Sequence, residues 1–69
     1  MSFLIPDVVR TNKHQFIIVD VDDSNSEDIQ YSLIRDTKSN RKAVLDGGSL
    51  PHQRIYRYSA RALEYVESI

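Results

Sequence analysis

The sequence predicts an α+β fold in which a three-stranded antiparallel sheet packs against one C-terminal amphipathic helix. Three observations predict it: β-branched and aromatic runs between residues 14 and 46, a break at Asp46-Gly47-Gly48-Ser49, and helical spacing of apolar residues from 50 to 69. A fourth strand replaces part of the helix if Arg54 to Tyr58 is itself extended. All 69 residues form one small domain.

Residues 1–12 read as an N-terminal arm or edge strand. Their apolar patches, Phe3 to Ile5 and Val8-Val9, are separated by Pro6, and proline is confined to strand edges and strand starts. Residues 14–22 (HQFIIVDVD) are the clearest strand, with Ile17, Val19 and Val21 on one face and Phe16 and Ile18 on the other; apolar residues on both faces imply cover on both. The stretch Asp22 to Asp28 is short-chained and polar, which makes it a loop. Residues 29–36 alternate, placing Ile29, Tyr31 and Leu33 opposite Gln30 and Ser32. Thr37 to Asn40 then form a turn, and Arg41 to Leu45 a third strand, closing the antiparallel segment at residue 46.

The helix is expected over 49–69. Ser49 is a good N-cap, and Pro51 falls in the first turn, where a missing N–H costs nothing. At about 100° per residue, Ile55, Tyr58, Ala62, Tyr65, Val66 and Ile69 share one face. Arg54, Arg57 and Arg61 form a cationic stripe on one flank, with Tyr56, Ala60 and Leu63 along the other. One packed face suffices for folding, so the flanks point to a partner.

A chain this short buries only about 60% of its unfolded surface. It contains no cysteine, which removes disulfides and thiolate metal sites. His14 and His52 are far apart in sequence, so a structural metal is not expected, and self-association or docking becomes the support of choice. The apolar run Phe16 to Val19 is far too short to span a bilayer. The first residues lack a basic segment and long apolar core, so no signal peptide is expected, and the location read from the sequence is cytoplasmic. Net charge is −1, against a dedicated polyanion binder. Its distribution is uneven: Asp20, Asp22, Asp23, Glu27 and Asp28 cluster without a cation, while residues 35–61 are rich in lysine and arginine.

Catalytic and ligand motifs are weak. The acidic loop lacks the glycine at position 6 and glutamate at position 12 of an EF-hand, so it reads as a solvated hairpin loop, with a steering surface for a basic partner as the functional alternative. The Asp46–Ser49 junction could hold an anion at a helix start, yet it has no P-loop lysine and reads as a plain strand-to-helix turn. Neither histidine accompanies a nucleophile motif, and the chain is short for an enclosed cleft.

No cofactor, metal, catalytic residue, small-molecule substrate or membrane partner is expected. The reading is a non-enzymatic interaction or regulatory protein, of the accessory or inhibitor kind that phages and mobile elements encode. It would dock on a larger macromolecule or on itself through Arg54, Tyr56, Arg57, Ala60, Arg61 and Leu63; arginine and tyrosine are enriched in such contacts. The alternative is nucleic-acid binding through Lys38, Arg41 and Lys42 in the 38–42 turn together with Arg54, Arg57 and Arg61.

Overall fold

A computed structural model describes residues 3–47 and 53–69. It is a small α+β structure with one five-stranded antiparallel sheet and one helix. The elements are β1 (Asp7–Arg10), β2 (Gln15–Asp22), β3 (Gln30–Arg35), α1 (Lys38–Leu45), β4 (Tyr56–Ser59), a 3₁₀ turn (Ala60–Ala62) and β5 (Glu64–Ser68). Strand order is β4-β3-β2-β1-β5.

The long β-branched strand β2 is central, and both faces of its first half, Phe16 to Val19, are covered; past an irregularity between Ile18 and Asp20, Val21 is exposed and does not join the face of Ile17 and Val19 expected for it. Phe16 and Ile18 meet Val9, Tyr31, Leu33 and Leu63 on one side; Ile17 meets Val8 and Ile34 on the other, where Val19, Val44, Val66 and Ile69 pack against them. The first face is aromatic, with the Phe16 ring centroid 5.1 Å from Tyr56 and 5.8 Å from Tyr58. The second is aliphatic.

Each pair of neighbouring strands is antiparallel, so β4 and β5, on opposite edges, run in the same direction. Residues 60–63 must therefore cross back over one face of the sheet. Four strand spacings in a flat sheet would separate the edges by about 19 Å, whereas the five peptide steps from Ser59 to Glu64 reach at most about 17 Å, less where three residues are in a 3₁₀ turn. The sheet is accordingly coiled, and the crossing strap lies on its concave, aromatic face. Leu63 drops from the strap into that core, 9% exposed, while the Ala60 N–H donates to the Ile29 carbonyl at 2.9 Å.

α1 lies against the convex face and reaches its core through Val44. Thr37 caps it, its hydroxyl accepting from the Asn40 N–H at 3.0 Å, an arrangement that stabilises a helix start by about 1 kcal/mol. Gly47 follows the helix with φ of 69°, the left-handed conformation glycine adopts without strain. Asn40, buried, donates from Nδ2 to the Arg35 carbonyl at 2.8 Å. Val44 is the helix residue in the convex core.

Three expectations need correction. Residues 41–45 are helical, because the Thr37 cap commits the chain and Leu45 can then remain 61% exposed. The C-terminal helix is replaced by β4, the strap and β5. Tyr56 and Tyr58 alternate with Arg57 and enter the concave core together, which suits aromatic side chains better extended than helical. The supposed apolar face is split: Ile55 and Tyr65 are exposed, Tyr58 is concave, and Val66 and Ile69 are convex. The alternative of a strand near 54–58 fits β4, and Ser59 does serve as an N-cap, but of a three-residue 3₁₀ turn rather than a helix of ten. Finally, β1 is neither arm nor edge, since it pairs with β2 and β5 on its two sides. Ser49, Pro51 and His52 lie outside the described residues.

Candidate interaction surface

The residues expected on one helix flank divide between core and solvent. Leu63 is buried, and Tyr56 and Ala60 are half-buried against the concave core. Arg54, Arg57 and Arg61 are all exposed. They do not form a stripe: Arg54 precedes β4, Arg57 lies within it, and Arg61 is on the strap.

Each arginine already has an internal contact. The Arg54 guanidinium sits 4.9 Å above the Tyr56 ring, a cation–π arrangement. Arg57 is ion-paired with Asp22, and Arg61 donates to the Glu27 carbonyl at 3.1 Å. Two of the three thus reach the acidic loop. Hydrogen bonds from Ser24, then the Arg57 charge, hold the Asp22 carboxyl below the ordinary carboxylate range. Asp28 accepts from the Ser59 hydroxyl at 2.6 Å and from the Gln30 amide at 2.9 Å. The Asn25 side chain accepts from the Glu27 N–H. The side-chain oxygens of Asp22, Asn25 and Asp28 are thereby used in shaping the loop and tying it to β4.

The 38–42 segment, expected as a basic turn, forms the start of α1. Lys38 and Lys42 are exposed on it. Arg41 instead bridges the buried Asp36 carboxylate at 2.6 Å and Glu67 of β5 at 2.8 Å. Its hydrogen bonds, with one from Gln15, hold the Asp36 carboxyl below its ordinary value against the opposing effect of burial; the same partners raise the Arg41 pKa. The sequence offered no signal for this bridge beyond opposite charges at Asp36 and Arg41.

Register places charge at opposite ends of the sheet. Arg10 ends β1, Arg35 ends β3 and Arg54 precedes β4 at the end that also carries the Lys13-His14 turn; Asp22, Asp23, Glu27 and Asp28 occupy the other. At the basic end Arg10 is held by Glu64 at 3.1 Å. Two hollows flank the strap, with Arg61 and Leu63 lining both. One, of about 660 Å³, faces Arg10, Lys13 and His14; the other, of about 340 Å³, faces Phe3, Asp28 and Ile29.

Asp46 and Gly47 follow α1 at its C-terminal end; Gly48 and Ser49, the rest of the junction considered for an anion, lie outside the described residues. His14 is exposed, its ring nearly perpendicular to that of Phe16 with the centroids 6.3 Å apart. Among the described residues no group of three His, Cys, Asp or Glu side chains is placed to hold a metal ion, and no helix is long and apolar enough to cross a membrane. Comparison with protein-family models, curated proteins and solved structures found no match to this chain.

Proposed function

We propose that this is a non-enzymatic interaction or regulatory protein that docks on a larger macromolecule, or on a second copy of itself, through residues 54–61. The observation that supports this reading is that the arginine- and tyrosine-bearing segment forms an edge strand, β4, with Arg57 exposed on it and Arg54 exposed just before it. An edge strand offers backbone donors and acceptors to a partner, and the exposed arginines supply side-chain contacts. Leu63 and Ala60 support the surface from below. The reading places the protein in the cytoplasm, and its size suits an accessory or inhibitor module of the kind phages and mobile elements encode.

The test is capture from a lysate of the source cells, comparing the wild type with Arg54→Glu/Arg57→Glu, with and without nuclease. A partner retained by the wild type, lost by the variant and insensitive to nuclease supports the proposal. Equal retention by both proteins would move docking elsewhere.

Nucleic-acid binding is the second reading, favoured by the gathering of Lys13, Arg35 and Arg54 at one end of the sheet, beside Arg10, which Glu64 holds. Loss of the captured partner on nuclease treatment, with binding that weakens steeply as salt rises, would make it the first. Arg41 and Arg57 contribute less to it than the sequence implied, since both are engaged by carboxylates.

A further inference from the structure

The two edges of the sheet have opposite chemistry. Residues 53–59 carry Arg54 and Arg57 and no carboxylate, whereas β5 carries Glu64 and Glu67 and no cation. Arg57 is paired with Asp22, Glu64 with Arg10, and Glu67 shares Arg41 with Asp36, so the excess charge is the cation of Arg54 at one edge and one carboxylate of the Asp36–Arg41–Glu67 group at the other. Each edge also exposes an apolar side chain, Ile55 at 53% and Tyr65 at 49%.

Hydrogen bonds already on the ladder determine which backbone groups face outward. Bonded and non-bonded pairs alternate along antiparallel strands. The Ala60 N–H bonds Ile29, and in the same register Tyr58 opposes Tyr31 and Tyr56 opposes Leu33. The Arg57 N–H and C=O therefore point away from β3. At the other edge, the Thr11 N–H donates to the His14 carbonyl at 2.9 Å, which turns the backbone of Val9 toward β2 and that of Arg10 toward β5. Glu64, opposite Arg10, then faces inward and Tyr65 outward.

We propose that copies of this chain join edge to edge, β4 of one against β5 of the next, with the outward backbone groups of Arg57 and Tyr65 entering the shared ladder. The proposal rests on the reading of β4 as a docking edge and names its occupant. A second copy is that occupant because the complement of each edge is present in the same chain. Pairing like edges would set arginine against arginine or glutamate against glutamate, which is unfavourable across a ladder. The contact is heterologous, so every copy keeps one edge of each kind and the assembly can propagate. Both strands are short and their charges exposed, so the association is weak and salt-sensitive.

The test combines light scattering behind size exclusion, over a dilution series at low and high salt, with residue-resolved amide hydrogen exchange. The expected mass rises with concentration above the 8.0 kDa of one chain and falls back in high salt. The Arg57 and Tyr65 amides slow together as the protein is concentrated. Arg54→Glu/Arg57→Glu stays monomeric with an unchanged circular dichroism spectrum; the exchange measurement on the wild type stands by itself should that variant not fold. A mass of one chain at every concentration, or growth in mass with Arg57 and Tyr65 exchange unaltered, overturns the proposal. A monomer that still captures a partner through Arg54 and Arg57 overturns self-pairing alone, whereas a monomer with no such capture removes the docking edge as well.

Discussion

The concave and convex faces of the sheet are closed by different means. On the concave side, large aromatic residues converge beneath a strap of four residues, 60–63, and Phe3, whose N–H donates to the Tyr31 hydroxyl at 2.8 Å. On the convex side, small aliphatic residues meet one valine of an eight-residue helix, and much of the attachment is polar, through Asp36, Arg41, Glu67 and Asn40. A short strap can thus close a coiled sheet when its own side chains are bulky or well placed, whereas a helix with little apolar surface needs hydrogen bonds and ion pairs to stay in position.

The contrast is most easily undone at Phe16. Phe16→Ala is expected to cost about 3–5 kcal/mol, most of the stability available to a domain of this size, and thermal unfolding followed by circular dichroism should show a largely unfolded chain at room temperature. Leu63→Ala, which empties the underside of the strap, should cost about 2–4 kcal/mol; a change near zero in urea titration would return Leu63 to the surface role read from its sequence position. Val44→Ala removes two methyl groups' worth of partly buried surface from the helix side, for about 1 kcal/mol, a fall in Tm of about 4–8 °C. If Val44→Ala proved as damaging as Leu63→Ala, the two faces would be equally dependent on apolar packing.

The smallest effect is expected at Asp36, and it depends on pH. Its carboxyl lies below the ordinary value of 3.8 in the folded state, so its contribution is present above the unfolded pKa and is lost as pH falls through the folded one. The urea midpoint of the wild type should therefore drop as pH is lowered below about 4, and Asp36→Asn should flatten that drop. An acid limb of the same steepness in both proteins would show that other carboxylates dominate it.

The parts of the fold legible in the sequence are those in which one periodicity stood alone. In β3 and in the first half of β2, alternation ran without competition, and the loop between them consisted of turn formers; the irregularity between Ile18 and Asp20, which takes Val21 off the face of Ile17 and Val19, has no sequence signal. From 54 to 66 two patterns overlap: Tyr56 and Tyr58 alternate as strand residues, while Ile55, Tyr58, Ala62 and Tyr65 also recur at helical spacing. Tertiary contact decided the matter, because Phe16 offers both tyrosines a ring to pack against and a helix would present only one. The same overlap blurred the candidate surface. Arg54, Arg57 and Arg61 are exposed but lie on three different segments rather than one stripe, and the inward placement of Tyr56, Ala60 and Leu63 follows only once a strap crosses the sheet. In residues 38–45, the cap from Thr37 outweighed the weak alternation of Ala43, Val44 and Leu45.

The pairing of β1 with β5 also bears on how the chain is made. Arg10 and Glu64 are 54 residues apart, and contacts of such separation slow folding because a long loop must close before they reward it. At about 5–20 residues per second during synthesis, β1 waits about 3–10 s for its outer neighbour to emerge. During that interval Val8 and Val9 stand at an unprotected margin that other nascent chains can join. Assembly of this protein is therefore a race between its last strand and its neighbours.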